Sequence, residues 1–246
     1  PRDLRKGISE RVHFNSSVET SIDLEEVRRH TKELVETKNI KALAVCFLHS
    51  YINPSHESAV VNLVQNEFPN LYVSSSSDVY PNMREFERWT TTAINAYTRP
   101  MIDQYLAKLE KDLEGLGFKG QLYIMTSSGG MLSPITARRF PVRLLESGPA
   151  AGMLMSAVQG RTLKLPNILS FDLGGTTAKG ALVRNYKPLK SEQMEVDRVN
   201  EARKGSGFPL RIPVLDMIEI GSGGGSIAGI DDRGLLKVGP RSAGAN

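Results

Sequence analysis

The sequence predicts an α/β fold, and a strand–helix alternation near its N-terminus supports this prediction. Residues 41–48 read Lys-Ala-Leu-Ala-Val-Cys-Phe-Leu, a nearly continuous apolar run typical of a central parallel strand covered on both faces. Amphipathic helices flank it: one is capped by Asp23, and the next begins with Asn53 as its cap and Pro54 as its first residue. Because another strand is expected at residues 71–74, the order favours a parallel layer with right-handed crossovers.

Composition narrows the class of protein. The 246 residues are 40% hydrophobic and 24% charged, which are values of a globular chain. The net charge of +4 comes from basic residues interleaved with acids, without a basic stripe bearing aromatics, so nucleic-acid binding is not expected. No signal peptide and no apolar run of membrane-spanning length is present. Cys46 is the only cysteine and excludes an intrachain disulfide, which favours a reducing, cytoplasmic location and a role as a small buried hydrophobe.

A polar stretch at residues 74–77, reinforced by residues 80–82, predicts a lobe boundary, with residues 1–82 in one domain and 83–246 in another. Residues 83–116 then have a helical pattern that Pro100 is expected to kink or divide. The charged residues of its first turns have two interpretations. A solvated face with ion pairs is the usual one, and the rim of a site between lobes is the other. These charged residues are Arg84, Glu85, Glu87 and Arg88, and the apolar positions include Ala93, Ile94, Tyr97, Met101, Ile102, Tyr105, Leu109 and Leu113.

Two histidines, His49 and His56, flank the loop after the first apolar strand. Ligands often approach open α/β sheets at such loops. A metal pair is conceivable, yet no third ligand is evident, and histidines bonded to backbone are the favoured interpretation.

The most informative stretch spans residues 167–183. A strand ending at Asp172, a turn at Gly174 and Gly175, and a returning strand predict a small cradle for a phosphate. Glycines let backbone N–H groups approach an anion, while Thr176 and Thr177 add hydroxyl donors and Asp172 can hold a hydrated Mg²⁺. The alternative is an ordinary hairpin with a Gly-Gly turn.

Two further glycine-bearing segments extend this hypothesis. Residues 221–226 read Gly-Ser-Gly-Gly-Gly-Ser after a predicted strand at 215–220, and predict a second wall of a nucleotide cleft rather than a flexible loop. Residues 146–152 read Glu-Ser-Gly-Pro-Ala-Ala-Gly, with Ser147 or Gly148 capping a helix that begins at Pro149. The exposed N–H groups of that helix would favour an anion, and close helix packing is the alternative.

Taken together, these stretches resemble the hydantoinase A / 5-oxoprolinase family, which includes ATP-using subunits of acetone and acetophenone carboxylases. The resemblance runs through most of the chain in a specific order and spacing. The matching residues are 49–57, 84–88, 95–97, 127–131, 146–152, 171–179, 220–228 and 238–245.

The resemblance implies a fold like that of the actin/Hsp70/sugar-kinase ATPases, incomplete here, with ATP and Mg²⁺ as cofactors. Residues 1–82 would be the end of the family's N-terminal lobe and residues 83–246 the first part of its core domain. The first phosphate hairpin of the family is not found, so we expect an internal piece of a longer polypeptide that is inactive by itself. The implied catalytic residues are Asp172 (also the metal ligand), Thr176 and Thr177, and the implied nucleotide-binding residues are Gly148, Gly174, Gly175, Gly221, Gly223, Gly224, Gly225 and Ser226.

One departure concerns the end of the hairpin. Many members of the family read Asp-Met-Gly-Gly-Thr-Ser-Thr-Asp, whereas Thr177-Ala178-Lys179 stands at the corresponding last positions here. Any catalytic role of the missing acid is therefore in doubt.

The family implies ATP-dependent opening of a cyclic amide such as a hydantoin or 5-oxoproline, through phosphorylation of the amide oxygen. A hydantoinase B-type subunit or domain would be the implied partner. The alternatives are a subunit of an acetone- or acetophenone-type carboxylase, and a non-catalytic, nucleotide-dependent assembly protein.

Overall fold

The computed structural model describes residues 2–199 and 205–244. The chain forms two compact units. The first unit contains Pro1–Ile124, Leu132–Arg143 and Pro209–Ile212, and the second contains Met125–Met131, Leu144–Phe208 and Pro213–Asn246. The predicted resemblance at Ala245 lies outside the described residues. Among the described residues, no helix has both the length and the apolar character needed to cross a bilayer.

The first unit combines helices with a short parallel sheet. Strands β3 and β4 pair in parallel, with Ala42 opposite Tyr72 and Val45 opposite Ser75. The elements are β1 (Arg11–Val12), β2 (Val18–Thr20), α1 (Leu24–Lys38), β3 (Ala42–Val45), α2 (Ser55–Glu67), β4 (Tyr72–Ser75), α3 (Ser76–Val79), α4 (Glu85–Gly115), β5 (Ile124–Met125), β6 (Met131–Leu132), α5 (Pro134–Arg139) and 3-10 turns at Arg2–Leu4 and Pro141–Leu144.

The apolar core of this unit lies between α1, α2 and the parallel strands, as the alternating pattern predicts. Asp23 caps α1 as expected, because its Oδ1 accepts the N–H groups of Glu25 and Glu26, each at 3.0 Å. Each buried aliphatic side chain in this core contributes about 1.5–3 kcal/mol of hydrophobic free energy. The buried members are Val27, Val45, Val60, Leu63, Val64, Leu71 and Val73.

The start of α2 differs from the prediction by one residue. The helix begins at Ser55, and Pro54 occupies the capping position instead of the first helical one. Asn53 uses its side chain one residue earlier, because its Oδ1 accepts the N–H of Ser55 at 3.1 Å. This local bond closes a turn ahead of the helix rather than capping it.

The predicted polar break at residues 74–77 is wrong. Ser74 and Ser75 belong to β4 and Ser76 opens α3, and all three are buried. Two of the hydroxyls have partners inside the unit: Ser76 donates to Glu57 at 2.7 Å, and Ser74 accepts from Asn95 at 3.1 Å. Serine is therefore polar here without marking a surface loop.

The compact units do not divide at residues 82 and 83, because α4 packs on β3 and β4. Residues 83–124 therefore belong to the same compact unit as the N-terminal segment. The division into two family domains at residues 82 and 83 stays a prediction.

Helix α4 differs from its predicted pattern in two ways. It is a single helix of 31 residues that continues through Pro100. Its buried face is mainly polar, whereas Tyr97, Met101 and Tyr105 are 79%, 64% and 61% exposed. The solvated-face interpretation is wrong for Arg88, which is fully buried. Because α4 packs on a small sheet, the side of the helix that bears polar side chains is the buried one. Helical periodicity in the sequence alone does not reveal which side is buried. The buried residues are Arg88, Thr91, Thr92, Asn95, Ala96 and Leu106.

In the second unit, a helix packs on an antiparallel sheet. Its strand order is β14-β8-β7, with β9 also paired to β8. Ala150, Met153 and Ala157 of the helix meet Ala181 and Val183 of the sheet in an apolar cluster. The elements that follow residue 146 are α6 (Ser147–Leu163), β7 (Ile168–Leu173), β8 (Ala178–Arg184), β9 (Lys187–Pro188), β10 (Lys190–Ser191), β11 (Met194–Val196), β12 (Phe208–Leu210, of which Pro209 and Leu210 belong to the first unit), β13 (Val214–Leu215), β14 (Met217–Ile220), β15 (Ser226–Ile230) and β16 (Leu236–Ser242).

Candidate nucleotide-phosphate site

The predicted hairpin is present in the second unit. Strands β7 and β8 pair antiparallel, with Asp172 opposite Lys179 and Leu173 opposite Ala178. The four-residue turn at residues 174–177 is closed by the N–H of Gly174, which donates to the carbonyl of Thr177 at 2.9 Å. A Cβ on Gly175 would meet no other heavy atom within 4 Å, so the space beside Gly175 is open.

The glycine-rich loop lies directly on this turn. The N–H of Gly224 donates to the carbonyl of Gly174 at 2.8 Å, and that of Gly225 donates to the carbonyl of Gly175 at 3.0 Å. A Cβ on Gly223 would lie 2.6 Å from the backbone N and C of Thr176, closer than any real contact. Turn and loop therefore form one hydrogen-bonded platform, and the role of residues 221–226 as the second wall of a nucleotide cleft stays a prediction.

This platform divides its backbone donors into two groups. The loop donors are used internally: besides Gly224 and Gly225, the N–H of Gly223 donates to Ser226 Oγ at 3.0 Å, and the N–H of Ser226 donates to the carbonyl of Gly223 at 2.9 Å. In the turn, the N–H groups of residues 175–177 have no acceptor among the described residues. Consecutive free N–H groups in a turn form a concavity suited to an anion.

Lys179 is a residue whose role sequence reasoning missed. Its Nζ donates to Thr177 Oγ1 at 2.9 Å and to Glu219 Oε1 at 2.9 Å, and it lies 3.5 Å from Glu146 Oε2. The hydrogen bond to Glu219, supported by the charge of Glu146, raises the pKa of Lys179 despite its partial burial. The ammonium group therefore stays charged at neutral pH, and its three acceptors are all protein groups.

Asp172 and Glu219 flank Lys179 in the sheet. Asp172 is the cross-strand partner of Lys179 on β7, and Glu219 is its partner on β14. Residues directly opposite each other project from the same face, so the three form one row. Glu219 is bonded to Lys179, whereas the exposed carboxylate of Asp172 accepts no hydrogen bond from a described residue. Asp172 is therefore the acid of this row that is free to meet a ligand.

Helix α6 joins the same cluster through its first turn. It begins at Ser147, and Glu146 occupies its capping position in the left-handed conformation with φ of 60°, which corrects the predicted start at Pro149. Glu146 reaches Lys179 from there. A Cβ on Gly148 would meet nothing within 4 Å, so close packing does not explain this glycine. Gly160, near the other end, is the tightly packed one, because a Cβ there would lie 2.5 Å from Ile168 Cδ1.

The two histidines in the first unit have different surroundings. His56 is buried and its Nδ1 lies 2.8 Å from Glu10 Oε2, so its partner is a carboxylate rather than the expected backbone group. His49 Nδ1 is buried without a partner among the described residues. Within residues 2–199 and 205–244, no three acidic, histidine or cysteine side chains lie close enough to hold a metal by themselves.

Comparison with known proteins shows the family. The model of the hydantoinase/oxoprolinase family matches residues 88–246, and that of the hydantoinase/oxoprolinase N-terminal region matches residues 1–68. The chain belongs to the hydantoinase/oxoprolinase family.

Three curated relatives illustrate the range of the family. An uncharacterized protein of Methanocaldococcus jannaschii is 38% identical over 98% of the chain. The caprolactamase subunit alpha of Pseudomonas jessenii is 31% identical over 100% of it, and the 5-oxoprolinase of Saccharomyces cerevisiae is 30% identical over 89%. The chain spans 36%, 34% and 16% of these proteins, respectively.

Two solved structures share the mixed α/β fold. The ATP-dependent caprolactamase from Pseudomonas jessenii matches with a TM-score of 0.81 at 30% identity, over 100% of this chain and 34% of that one. The nucleotide-free structure of acetone carboxylase matches with a TM-score of 0.80 at 27% identity, over 99% of this chain and 33% of that one.

Proposed function

We propose that this chain carries nucleotide-binding machinery of an enzyme that uses ATP to open a cyclic amide. The protein would have the fold of the actin/Hsp70/sugar-kinase class of ATPases, of which this chain would supply parts of two lobes. Support comes from the family, from relatives named caprolactamase and 5-oxoprolinase, and from the platform in the second unit.

The observation that carries this proposal is the division of backbone donors between turn and loop. Two N–H groups of the loop, those of Gly224 and Gly225, donate to the turn, and those of Gly223 and Ser226 bond within the loop. The N–H groups of residues 175–177 in the turn have no acceptor among the described residues. The hydroxyls of Thr176 and Thr177 are at the same turn. Phosphoryl transfer depends mainly on positioned donors and charge neutralisation, which such a preorganised turn supplies.

The free carboxylate of Asp172 fits the usual mode of Mg²⁺ binding, in which one or two protein carboxylates act together with waters and substrate phosphates. A magnesium ion held there would neutralise phosphate charge. Lys179 holds Glu146 and Glu219 at 3.5 Å and 2.9 Å, so we assign Asp172 alone as the carboxylate for the metal.

The chemistry follows from the weakness of an amide as an electrophile. Resonance between the nitrogen and the carbonyl stabilises a lactam against attack by water. Transfer of the γ-phosphoryl group of ATP to the amide oxygen, with ADP as the leaving group, would remove that stabilisation. Water would then add to the carbon, the ring C–N bond would break, and the resulting acyl phosphate would be hydrolysed to a carboxylate and phosphate. In this scheme the N–H groups of residues 175–177 bind the transferred phosphoryl group, and Lys179 holds the Thr177 hydroxyl in position. The hydrolytic step would belong to another domain or to a hydantoinase B-type partner, in keeping with relatives that are named as subunits.

A carboxylase subunit is the second candidate, supported by the match to acetone carboxylase. In that case the same ATP chemistry would activate a ketone or bicarbonate. Phosphate release that depends on bicarbonate would support the carboxylase, and release without bicarbonate would support the cyclic amide hydrolase. A non-catalytic assembly protein would show no phosphate release that depends on a substrate.

The test is a phosphate-release assay on the full polypeptide that contains this sequence, with hydantoin, 5-oxoproline or caprolactam added. We expect a cyclic amide to stimulate release without bicarbonate, and stimulation only by a ketone with bicarbonate would support the carboxylase instead. The 246-residue chain assayed alone is expected to release no phosphate above background. Turnover by this chain equal to that of the full polypeptide would show that its platform suffices for catalysis.

A further inference from the structure

The first unit contains a small polar cavity that the proposed function does not use. Its volume is about 180 Å³, well above the roughly 10–15 Å³ that one water molecule needs. It is lined by Tyr80, Asn82, Arg84 and Arg211. Two guanidinium groups, a phenol and an amide in one cavity offer mostly hydrogen-bond donors.

The hydrogen bonds around the cavity leave this donor character intact. Asn82 Nδ2 donates to the Tyr80 hydroxyl oxygen at 3.0 Å, so the hydroxyl hydrogen of Tyr80 remains available. The N–H of Met83 donates to Asn82 Oδ1 at 2.7 Å, which occupies the amide oxygen and fixes its orientation. The oxygens of Asn82 and Tyr80 therefore each have a partner, whereas the Tyr80 hydroxyl hydrogen has none among the described residues.

Among the described residues, Glu87 is the one acidic partner of the two arginines, and it lies at a long distance from both. Glu87 Oε1 lies 3.9 Å from a terminal nitrogen of Arg84 and 3.9 Å from one of Arg211. A charge-assisted hydrogen bond between such groups is about 2.7–2.9 Å long. One carboxylate at this distance from two guanidinium groups leaves the cavity with a net positive charge.

Arg88, which is fully buried, holds the backbone beside the cavity in place. Its terminal nitrogens donate to the carbonyls of Asn82 and Met83 and, at 2.9 Å, to that of Phe47. The backbone of Arg211 is held separately, because its N–H donates to Thr91 Oγ1 at 3.0 Å. Burying an arginine is costly, and here it fixes the backbone that carries two of the lining residues.

The buried cluster does not cancel the charge of the cavity. Arg88 Nε donates to Ser76 Oγ at 3.1 Å, and that hydroxyl donates to Glu57 Oε1 at 2.7 Å. Glu57 is fully buried and balances Arg88 through this serine. Arg84 and Arg211 therefore keep their charge for a ligand.

We propose that this cavity is a binding site for a small oxyanion, either a substrate carboxylate or a phosphate. Two guanidinium groups can bind either group through parallel hydrogen bonds, with the hydroxyl of Tyr80 as an additional donor. Naming a carboxylated cyclic amide as the ligand rests on the proposed function, whereas oxyanion binding does not. On this basis the protein would prefer 5-oxoproline to a neutral lactam.

The experiment is calorimetric titration of the full polypeptide, without nucleotide, using 5-oxoproline, 2-pyrrolidinone and inorganic phosphate. The first two probes share a ring and differ by a carboxylate. We expect 5-oxoproline to bind at least tenfold more tightly than 2-pyrrolidinone, and Arg211→Gln to abolish that difference. Arg84→Gln should act in the same direction, and Arg29→Gln, an exposed arginine on α1, is the control. The melting temperature of each variant reports whether it folds.

The three probes and the arginine variants together distinguish the possible outcomes. Phosphate binding that Arg211→Gln weakens, without a preference for 5-oxoproline, would identify a phosphate as the ligand. The proposal is overturned if neither oxyanion binds, or if folded Arg211→Gln and Arg84→Gln variants bind both as the wild type does. A protein that binds 5-oxoproline here but shows no lactam-stimulated phosphate release would keep this site and lose the proposed function.

Discussion

The two units each contain a cation linked to a carboxylate and a hydroxyl group, yet the two arrangements differ in exposure. In the first unit Arg88, Ser76 and Glu57 are fully buried, and Arg88 bonds to backbone carbonyls. In the second unit the side chain of Lys179 is 14% exposed, and its neighbour Asp172 is exposed. The polar groups of the buried cluster have hydrogen-bond partners, whereas in the exposed cluster a carboxylate and three N–H groups have none among the described residues. The first arrangement therefore stabilises structure, and the second is available to a ligand.

The largest expected effect comes from breaking the buried cluster. Arg88→Met removes the donors to three backbone carbonyls and leaves Glu57 buried without its counter-charge. Removing one partner of a buried ion pair typically costs about 3–5 kcal/mol, so the free energy of unfolding should fall by that amount. Urea denaturation measures it, with Arg29→Met as the exposed control. A loss as small as that of the control would show that Arg88 is not essential to the first unit.

The next effect tests whether turn and loop form one platform. Gly223→Ala places a Cβ 2.6 Å from backbone atoms of Thr176, so the loop must shift, and we expect a loss of about 1–3 kcal/mol in stability and weaker nucleotide binding. Gly229→Ala on β15 is the matched control, because its Cβ would meet no heavy atom within 4 Å. Denaturation and titration with a fluorescent ATP analogue measure both properties. Equal behaviour of the two variants would contradict the close contact.

The third prediction separates function from stability in the exposed cluster. Asp172→Ala should lower ATP turnover of the full polypeptide at least tenfold, or about 1.4 kcal/mol in the barrier, because the metal loses its carboxylate. Unfolding should be nearly unchanged, since Asp172 has no hydrogen-bonded partner to lose. Wild-type turnover would place the metal elsewhere, and Asp172→Asn distinguishes charge from size.

A smaller effect tests how Lys179 acts. If it works through Thr177, then Lys179→Met and Thr177→Val should each weaken nucleotide binding by about 0.5–1.5 kcal/mol, the usual contribution of one hydrogen bond. The double variant should then be no worse than the poorer single variant. Thr177→Ser retains the hydroxyl and should restore affinity. Strictly additive losses would mean that Lys179 contacts the nucleotide by itself.

The smallest effect concerns Cys46 in the first unit. Burial, together with the charge of Glu57, raises the pKa of its thiol well above the usual range. The thiol should therefore stay protonated and react slowly with a disulfide reagent at pH 8, and should react fast in denaturant. Equally fast reaction in both conditions would show that the thiol is not protected by the fold.

Local sequence determined much of this protein. The apolar runs and helix caps predicted the α/β alternation, and the Asp172–Thr177 hairpin has the predicted turn. The family resemblance is confirmed by matches along the chain. These features depend on residues adjacent in sequence, where periodicity and turn chemistry act directly.

Only the tertiary structure decided which polar groups form hydrogen bonds or ion pairs within the protein and which remain available to a ligand. Nothing in residues 74–88 indicated that Ser76 and Arg88 would be buried with Glu57, because their partners come from other elements. Likewise, Lys179 meets Glu146 and Glu219 only after α6 and β14 pack beside β8. The glycines of residues 223–225 suggested contact with a ligand, yet their N–H groups bond to the hairpin or within the loop. Hydrogen bonds between distant segments follow from how elements pack, and a single sequence does not encode that packing in any local pattern.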